Sequence, residues 1–131
     1  MCQKNHAHSS ADISDLPDLQ RWPSRRWAQV SARDFALAHR SGLAAQTVAV
    51  LPVGAVEQHG PHLPLSVDTA LADGILAAAL PQVAHDVPVL VLPTQSIGLS
   101  LEHQDYAGTL GLSPTTLLAL WTELGACVAR A

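Results

Sequence analysis

Two runs of consecutive apolar residues constrain the fold of this chain most: "TVAVLPV" at residues 47–53 and "VPVLVLP" at residues 87–93. Both runs are short, rich in valine and free of polar alternation, which is typical of parallel strands that are covered on both faces. Between them, "DTALADGILAAALP" spaces its apolar side chains as a helix does. We predict a helix over residues 69–80, with Asp68 at its N-cap and Pro81 ending it. Its predicted inward face consists of Leu71, Ala72, Ile75, Leu76, Ala79 and Leu80.

Helical signals also flank this strand–helix–strand unit. Ser31 is a suitable N-cap for an earlier helix, and Gly42 suits the position just after its end. Ser113 and Pro114 begin a last helix as N-cap and first helical residue. The predicted inward face of the earlier helix consists of Phe35, Leu37 and Ala38. The alternation of helices and strands predicts the α/β class, with a layered parallel sheet flanked by helices.

The predicted pattern stops on a helix, after the second or third strand–helix unit. A crossover helix normally leads to another parallel strand, and two strands of this kind leave an apolar sheet edge exposed. We therefore expect a truncated α/β domain, or one that needs a partner. Residues 1–25 are predicted to form a polar N-terminal arm, and residues 26–131 the N-terminal part of the domain.

Composition narrows the function classes. The chain has 131 residues, of which 48% are hydrophobic and 14% charged, as expected for one soluble domain with an apolar core. The net charge of −4 and the scattered basic residues argue against a nucleic-acid partner. No signal peptide is visible, and no uninterrupted apolar run reaches the roughly 18 residues of a membrane helix. Cys2 and Cys127 form no disulfide framework, so we predict a cytoplasmic protein without a membrane partner.

Polar side chains follow both predicted strands. In open α/β sheets, ligands bind beyond the carboxyl ends of the strands, so both clusters lie where a site is expected. The first cluster contains Glu57, His59, His62 and Asp68. The second cluster contains Ser100, Glu102, His103, Asp105 and Tyr106.

The first cluster has the composition of a metal site. In an extended chain Glu57 and His59 point to the same side, and the Gly and Pro residues that follow can turn Asp68 back over them. Oxygen and nitrogen donors without sulfur favour Zn, Mn or Fe(II). Other interpretations stay open: Asp68 as a helix cap only, Glu57 as a solvated loop acid, and the histidines as hydrogen-bonded loop residues. For the second cluster the alternative is a polar loop, and for His6 and His8 in the arm the alternatives are a stray ion site and a solvated terminus.

Two motifs resemble one known family. "LPVGAVEQHGPHLPLSVDT" closely resembles the opening signature of the creatininase family of metal-dependent amide hydrolases, P-x-G-x-x-E-x-H-G-x-H-L-P followed by Asp. "SLEHQDYAGTLGLS" is similar to the S-x-E-H-x-x-F-P-G-T-L segment of that family, with Tyr106 and Ala107 where Phe and Pro are usual. The resemblance covers the chain from about Ser31 onwards.

The resemblance implies a creatininase-like fold and a site for two divalent metal ions. Its implied metal ligands are Glu57, His59 and Asp68, with Asp68 bridging the ions, and a metal-activated water attacks a cyclic or linear amide C–N bond. It assigns no catalytic residue. The residues implied to bind substrate or to support the metal ligands are His62, Ser100, Glu102 and His103.

The chain also departs from the family pattern. Family members continue with a segment like N-G-H-G-G-N that supplies a further His and an acidic ligand, whereas no His follows His103 here. We therefore keep two hypotheses: a metal-dependent amidohydrolase present as an incomplete fragment, or a non-catalytic remnant that lacks half of the metal site. The expected partner is a small amide substrate of unknown identity, and the family resemblance leaves a homo-oligomer open.

Overall fold

The computed structural model describes residues 16–131, in which helices flank a short parallel sheet. The regular helices and strands, in chain order, are α1 (Ala32–Ser41), α2 (Leu43–Gln46), β1 (Val48–Val50), α3 (Val67–Ala79), β2 (Val89–Val91) and α4 (Pro114–Val128). Short 3-10 turns lie at Trp27–Gln29, Leu80–Gln82 and Leu101–His103. The predicted α/β class is confirmed.

The sheet pairs β1 with β2 in parallel, and Ala49 lies opposite Leu90. On the other side of β2, the backbone N–H of Val91 donates to the carbonyl of Arg25 at 2.8 Å. This bond belongs to a parallel bridge between Arg26 and Val91. The segment before α1 therefore covers the outer edge of β2, and β2 becomes the central element.

Proline shortens both strands relative to the predicted runs. The N–H of Leu92 donates to the carbonyl of Val50 at 2.9 Å, and the next donor in this ladder would be Pro52, which has no N–H. Pairing resumes only between Val53 and Gln95. By that point the chain after β2 has one residue more than the chain after β1, so the register has shifted by one residue. A regular strand over residues 47–53 was therefore a wrong prediction.

The expectation that both strands are fully covered holds only for β2. Leu90 and Val91 are buried, whereas Val48 in β1 is 56% exposed. Among the described residues no strand pairs with the outer edge of β1. This agrees with the predicted open sheet edge.

The core lies between the sheet and the helices. Its buried apolar side chains come from α1, β2 with the residue after it, and α4: Leu37, Ala38, Leu90, Val91, Leu92 and Leu117. A small cavity lined by Phe35, Ala49, Leu90 and Val128, among others, shows that α1 and the end of α4 cover the same face of the sheet.

Helices α1 and α4 begin as predicted. The Ser31 hydroxyl accepts from the N–H of Asp34, whose carboxylate accepts from the N–H of Ser31, which completes a capping box. Gly42 ends α1 with a φ of 79°, a conformation that favours glycine. Ser113 caps α4 through the N–H of Thr116.

Helix α3 differs from its prediction at both ends. Ser66 is the N-cap residue, without a side-chain cap bond, so Asp68 lies inside the first turn and the N-cap assignment of Asp68 was wrong. The carbonyl of Ser66 already accepts from the N–H of Ala70, which places the helix start before Asp68. The α-helix ends at Ala79, and Pro81 lies in the 3-10 turn that follows.

The predicted inward face of α3 was correct only in part. Leu71 and Ile75 are 59% and 67% exposed, whereas Leu76 and Leu80 are half-buried. The helix carries two adjacent apolar stripes with a spacing of four residues. The stripe of Ala72, Leu76 and Leu80 is half-buried, and the stripe of Leu71, Ile75 and Ala79 is exposed. Periodicity alone cannot distinguish two such stripes.

Part of the predicted arm contacts the sheet region. The Trp22 indole N–H donates to the hydroxyl of Thr47 at 2.8 Å. The Arg25 guanidinium donates to the carbonyls of Val83, Ala84 and Val87, at 3.2, 2.7 and 2.9 Å. The division between residues 25 and 26 stays a prediction, and Cys2, His6 and His8 lie outside the described residues.

From residue 16 to the end of the chain, none of the helices combines the length and apolarity that crossing a membrane requires.

Candidate metal centre

Glu57 follows β1 in a loop that backbone hydrogen bonds hold closed. Its N–H donates to the carbonyl of Leu65 at 3.0 Å, and the preceding carbonyl of Val56 accepts from the N–H of Leu110 at 2.8 Å. The first bond brings the start of α3 back towards Glu57. The second ties the loop after β1 to the loop after β2.

Asp68 is placed by the packing of α3 against the chain that leaves β1. A Cβ at Gly54 would lie 2.6 Å from Oγ1 and 2.9 Å from Cα of Thr69, so the first turn of α3 lies directly on the Gly54 backbone. Asp68 is in this first turn, where the helix dipole favours a carboxylate.

One potential ligand atom from each of Glu57, His59 and Asp68 lies within 4.8 Å of the other two. His59 Nε2 and Asp68 Oδ1 are 3.4 Å apart. Ligands that each lie about 2.1 Å from one tetrahedral ion are roughly 3.4 Å from each other. The separation of these atoms therefore fits a shared ion with small side-chain adjustments.

The His59 ring is oriented by its own loop. Its Nδ1 lies 2.9 Å from the carbonyl oxygen of Glu57, and the tautomer that donates this bond leaves the Nε2 lone pair free towards Asp68. The hydrogen bond to the Glu57 carbonyl is the main reason that the pKa of His59 is raised, and the Asp68 charge adds to it against the opposing effect of burial. Metal-binding histidines commonly donate their other N–H to a carbonyl in this way.

Asp68 provides the test of whether these residues fit a cation. Its Oδ2 atom is buried and has no hydrogen-bond partner among the described residues. Buried polar atoms are normally paired, because leaving one unpaired costs free energy. A cation bound beside His59 would satisfy this oxygen, so the three residues fit a metal ion.

Comparison with known proteins identifies the family. The creatininase family model, described as creatinine amidohydrolase, matches residues 34–131. The chain belongs to the creatininase family. The predicted family resemblance is thereby confirmed.

Curated relatives of this chain include proteins named as peptidases. The mycofactocin precursor peptide peptidase of Mycobacterium tuberculosis (strain ATCC 25618 / H37Rv) is 40% identical over 90 residues, which cover 62% of this chain and 36% of the relative. The protein of the same name from Mycolicibacterium smegmatis is 37% identical over 78 residues, covering 58% of this chain and 32% of the relative. The chain thus spans only about a third of the length of these relatives.

Solved creatininases share the fold. A creatinine amidohydrolase crystal structure superposes with a TM-score of 0.68 at 26% identity, over 82% of this chain and 41% of that structure. A mutant creatininase described as "Zn-Zn type" gives a TM-score of 0.66 at 25% identity, with the same coverage.

The second polar cluster of this creatininase-family chain meets the first through His103. His103 Nε2 lies 3.6 Å from Glu57 Oε1. Ser100 is 2% exposed, and its hydroxyl has no partner among the described residues. His62 and Glu102 are exposed and do not belong to the group of potential ligands.

Two positions near the site were missed in the sequence. Gly54 was quoted within the first motif, but nothing indicated that a helix would lie on its backbone. Thr109 was quoted within the second motif, yet its hydroxyl is buried without a partner in the described part of the chain. Its place between two glycines of "AGTLG" was the available signal.

Proposed function

We propose that Glu57, His59 and Asp68 bind a divalent metal ion, and that the chain takes part in metal-dependent hydrolysis of an amide C–N bond. The observation that carries the proposal is the approach of their ligand atoms to within 4.8 Å of one another. Family membership supports it, since these residues match the first creatininase motif.

The ligand set favours a borderline or hard divalent ion. Two carboxylates and one imidazole suit Zn, Mn or Fe(II), and no thiol is part of the group. The solved relative described as "Zn-Zn type" makes zinc the first ion to test. The three ligands account for one ion.

A divalent ion at this position would lower the pKa of a water and polarise an amide carbonyl. The residues of the chain prepare the place for it. His59 is oriented through the Glu57 carbonyl, so that Nε2 faces Asp68. Asp68 Oδ2 is buried and has no partner within residues 16–131, so this oxygen would be available to the ion.

The names of the relatives support a substrate class, and Ser100 in the second polar cluster is a candidate to bind the substrate. Creatinine contains a cyclic amide bond and a precursor peptide contains linear ones, so an amide C–N bond is the common substrate feature. The Ser100 hydroxyl is buried and has no partner in the part of the chain that the structure describes, and Ser100 begins the loop that carries His103, so we assign it to substrate binding.

A titration with Zn²⁺ tests the proposal. We expect Glu57→Gln, His59→Gln and Asp68→Asn each to weaken Zn²⁺ binding measured by calorimetry. His85→Gln is the matched control, because His85 is exposed and precedes β2 rather than following a strand. If all three site variants bind Zn²⁺ as the unsubstituted chain does, the proposed site is wrong.

A further inference from the structure

Glu57 and His103 come from different loops and meet at the edge of the candidate metal centre. Glu57 follows β1, whereas His103 ends the 3-10 turn Leu101–His103 after β2. Their side chains are 15% and 29% exposed, and His103 Nε2 lies 3.6 Å from Glu57 Oε1. This separation is within ion-pair range and slightly longer than a hydrogen bond.

The His103 ring is held by its backbone and by one aromatic contact. The N–H of His103 donates to the carbonyl of Ser100 at 3.1 Å, and its own carbonyl accepts from Tyr106 at 3.0 Å. The Tyr106 ring lies 6.0 Å from the imidazole, centroid to centroid. His103 Nδ1 is buried and has no partner within residues 16–131. The Glu57 carboxylate is therefore the polar group that the structure places against this ring.

The three potential ligands differ in how their orientation is fixed. His59 is oriented by the Glu57 carbonyl, and Asp68 by its place in α3 and its contact with His59. For the Glu57 side chain, the contact that the structure gives is the one with His103. His103 itself is not in the group of potential ligands found among the described residues.

We propose that His103 is a positioning residue, which donates a hydrogen bond from Nε2 to Glu57 and so fixes this carboxylate for metal binding. The inference rests on the proposed function. Carboxylate ligands are themselves usually hydrogen-bonded, and losing such a partner typically weakens metal binding about 10–100-fold. A shift of a few tenths of an ångström closes the 3.6 Å separation to a hydrogen bond.

The test is a Co²⁺ titration of the full chain followed by visible absorption, because the spectrum of bound Co²⁺ reports its coordination geometry. His103→Leu removes the donor, and we expect about 10–100-fold weaker binding with an altered spectrum. His103→Gln keeps a donor close to the Nε2 position and should restore both affinity and spectrum. His85→Leu is the matched control and should bind Co²⁺ as the unsubstituted chain does.

Circular dichroism of each variant separates this role from a structural one. If His103→Leu does not fold, His103→Gln and His103→Asn decide, since the shorter Asn cannot reach Glu57 and should bind Co²⁺ more weakly than Gln. The inference is overturned if folded His103→Leu binds Co²⁺ as tightly as the unsubstituted chain, or if His103→Gln and His103→Asn bind it with equal affinity. Glu57→Gln tells the two proposals apart: if it abolishes binding while folded His103→Leu binds Co²⁺ as tightly as the unsubstituted chain does, only the inference fails. If Glu57→Gln has no effect, the metal site itself fails.

Discussion

The backbone of Gly54 lies so close to Thr69 that a Cβ at Gly54 would lie 2.6 Å from Thr69 Oγ1 and 2.9 Å from its Cα. Because Asp68 is the neighbour of Thr69, this contact sets the distance between the loop after β1 and a potential metal ligand. The contact links the packing of α3 to the chemistry of the candidate site.

Gly54→Ala should therefore destabilise the fold by about 1–3 kcal/mol, because an added methyl group must push α3 away. It should also weaken Zn²⁺ binding, since Asp68 moves with the helix. Gly74→Ala is the matched control: nothing lies within 4 Å of a Cβ there, and we expect it to stabilise the helix by about 0.5–1 kcal/mol. Urea unfolding and calorimetry measure both effects. Equal stabilities of the two variants would contradict the proposed contact.

The capping box of α1 predicts a pH-dependent stability. The pKa of Asp34 lies below its ordinary value of 3.8, mainly because the Ser31 hydroxyl donates to its carboxylate, and the Ser31 N–H adds to this. A lowered pKa in the folded state means that the stabilisation is present above pH 3.8 and is lost as the pH falls through the lowered pKa.

Two variants test this cap. Ser31→Ala should cost about 1 kcal/mol of unfolding free energy near neutral pH, as is usual for the loss of such a cap. Asp34→Asn should be less stable than the unsubstituted chain near neutral pH, and the difference should shrink in acid. A difference between these two chains that stays constant from neutral pH into acid would show that the Asp34 charge does not contribute.

The contacts of Arg25 indicate that part of the predicted polar N-terminal arm stabilises the fold. Its guanidinium donates to three carbonyls in residues 83–87, and its own carbonyl accepts from Val91 in β2. We expect Arg25→Gln to lower the unfolding free energy by about 1–2 kcal/mol, a moderate value because these bonds are partly solvent-exposed. Arg33→Gln, on the exposed side of α1, should stay within about 0.5 kcal/mol of the unsubstituted chain. Similar losses in both variants would argue against a specific role for Arg25.

The stoichiometry of metal binding gives a further prediction. Residues 16–131 contain one group of three potential ligands. We expect calorimetry to detect a single tight Zn²⁺ ion per chain, lost in Asp68→Asn. A second tight ion that survives in Asp68→Asn would mean that other residues form a site.

The sequence predicted the helix ends best where a side chain makes a specific cap. Ser31, Gly42 and Ser113 each take the predicted role, because their hydroxyl groups or positive φ act locally. The start of α3 was predicted two residues too late, since Ser66 is the N-cap without a side-chain bond and Asp68 faces the site instead. Asp68 suits both a helix N-cap and a metal ligand, and local sequence alone does not distinguish these two roles.

Long-range contacts account for the other differences. Pro52 interrupts the strands because the partner strand would need an N–H at that position, and the sequence does not show which strand is the partner. Which apolar stripe of α3 is buried depends in the same way on where the sheet lies. The sequence grouped Glu57, His59 and Asp68 because extended geometry and a turn are local features. It did not predict that His103 lies against Glu57, because that contact depends on how two loops from different strands fold together.

The most direct test of the metal centre is the zinc K-edge X-ray absorption spectrum of the Zn²⁺-loaded chain with His6→Ala and His8→Ala, which removes the histidines of the arm. We predict oxygen and nitrogen ligands at about 2.0–2.2 Å, with the scattering of one imidazole, which disappears in His59→Gln. A zinc–sulfur distance near about 2.3 Å, or an imidazole signal that persists in His59→Gln, would contradict this prediction.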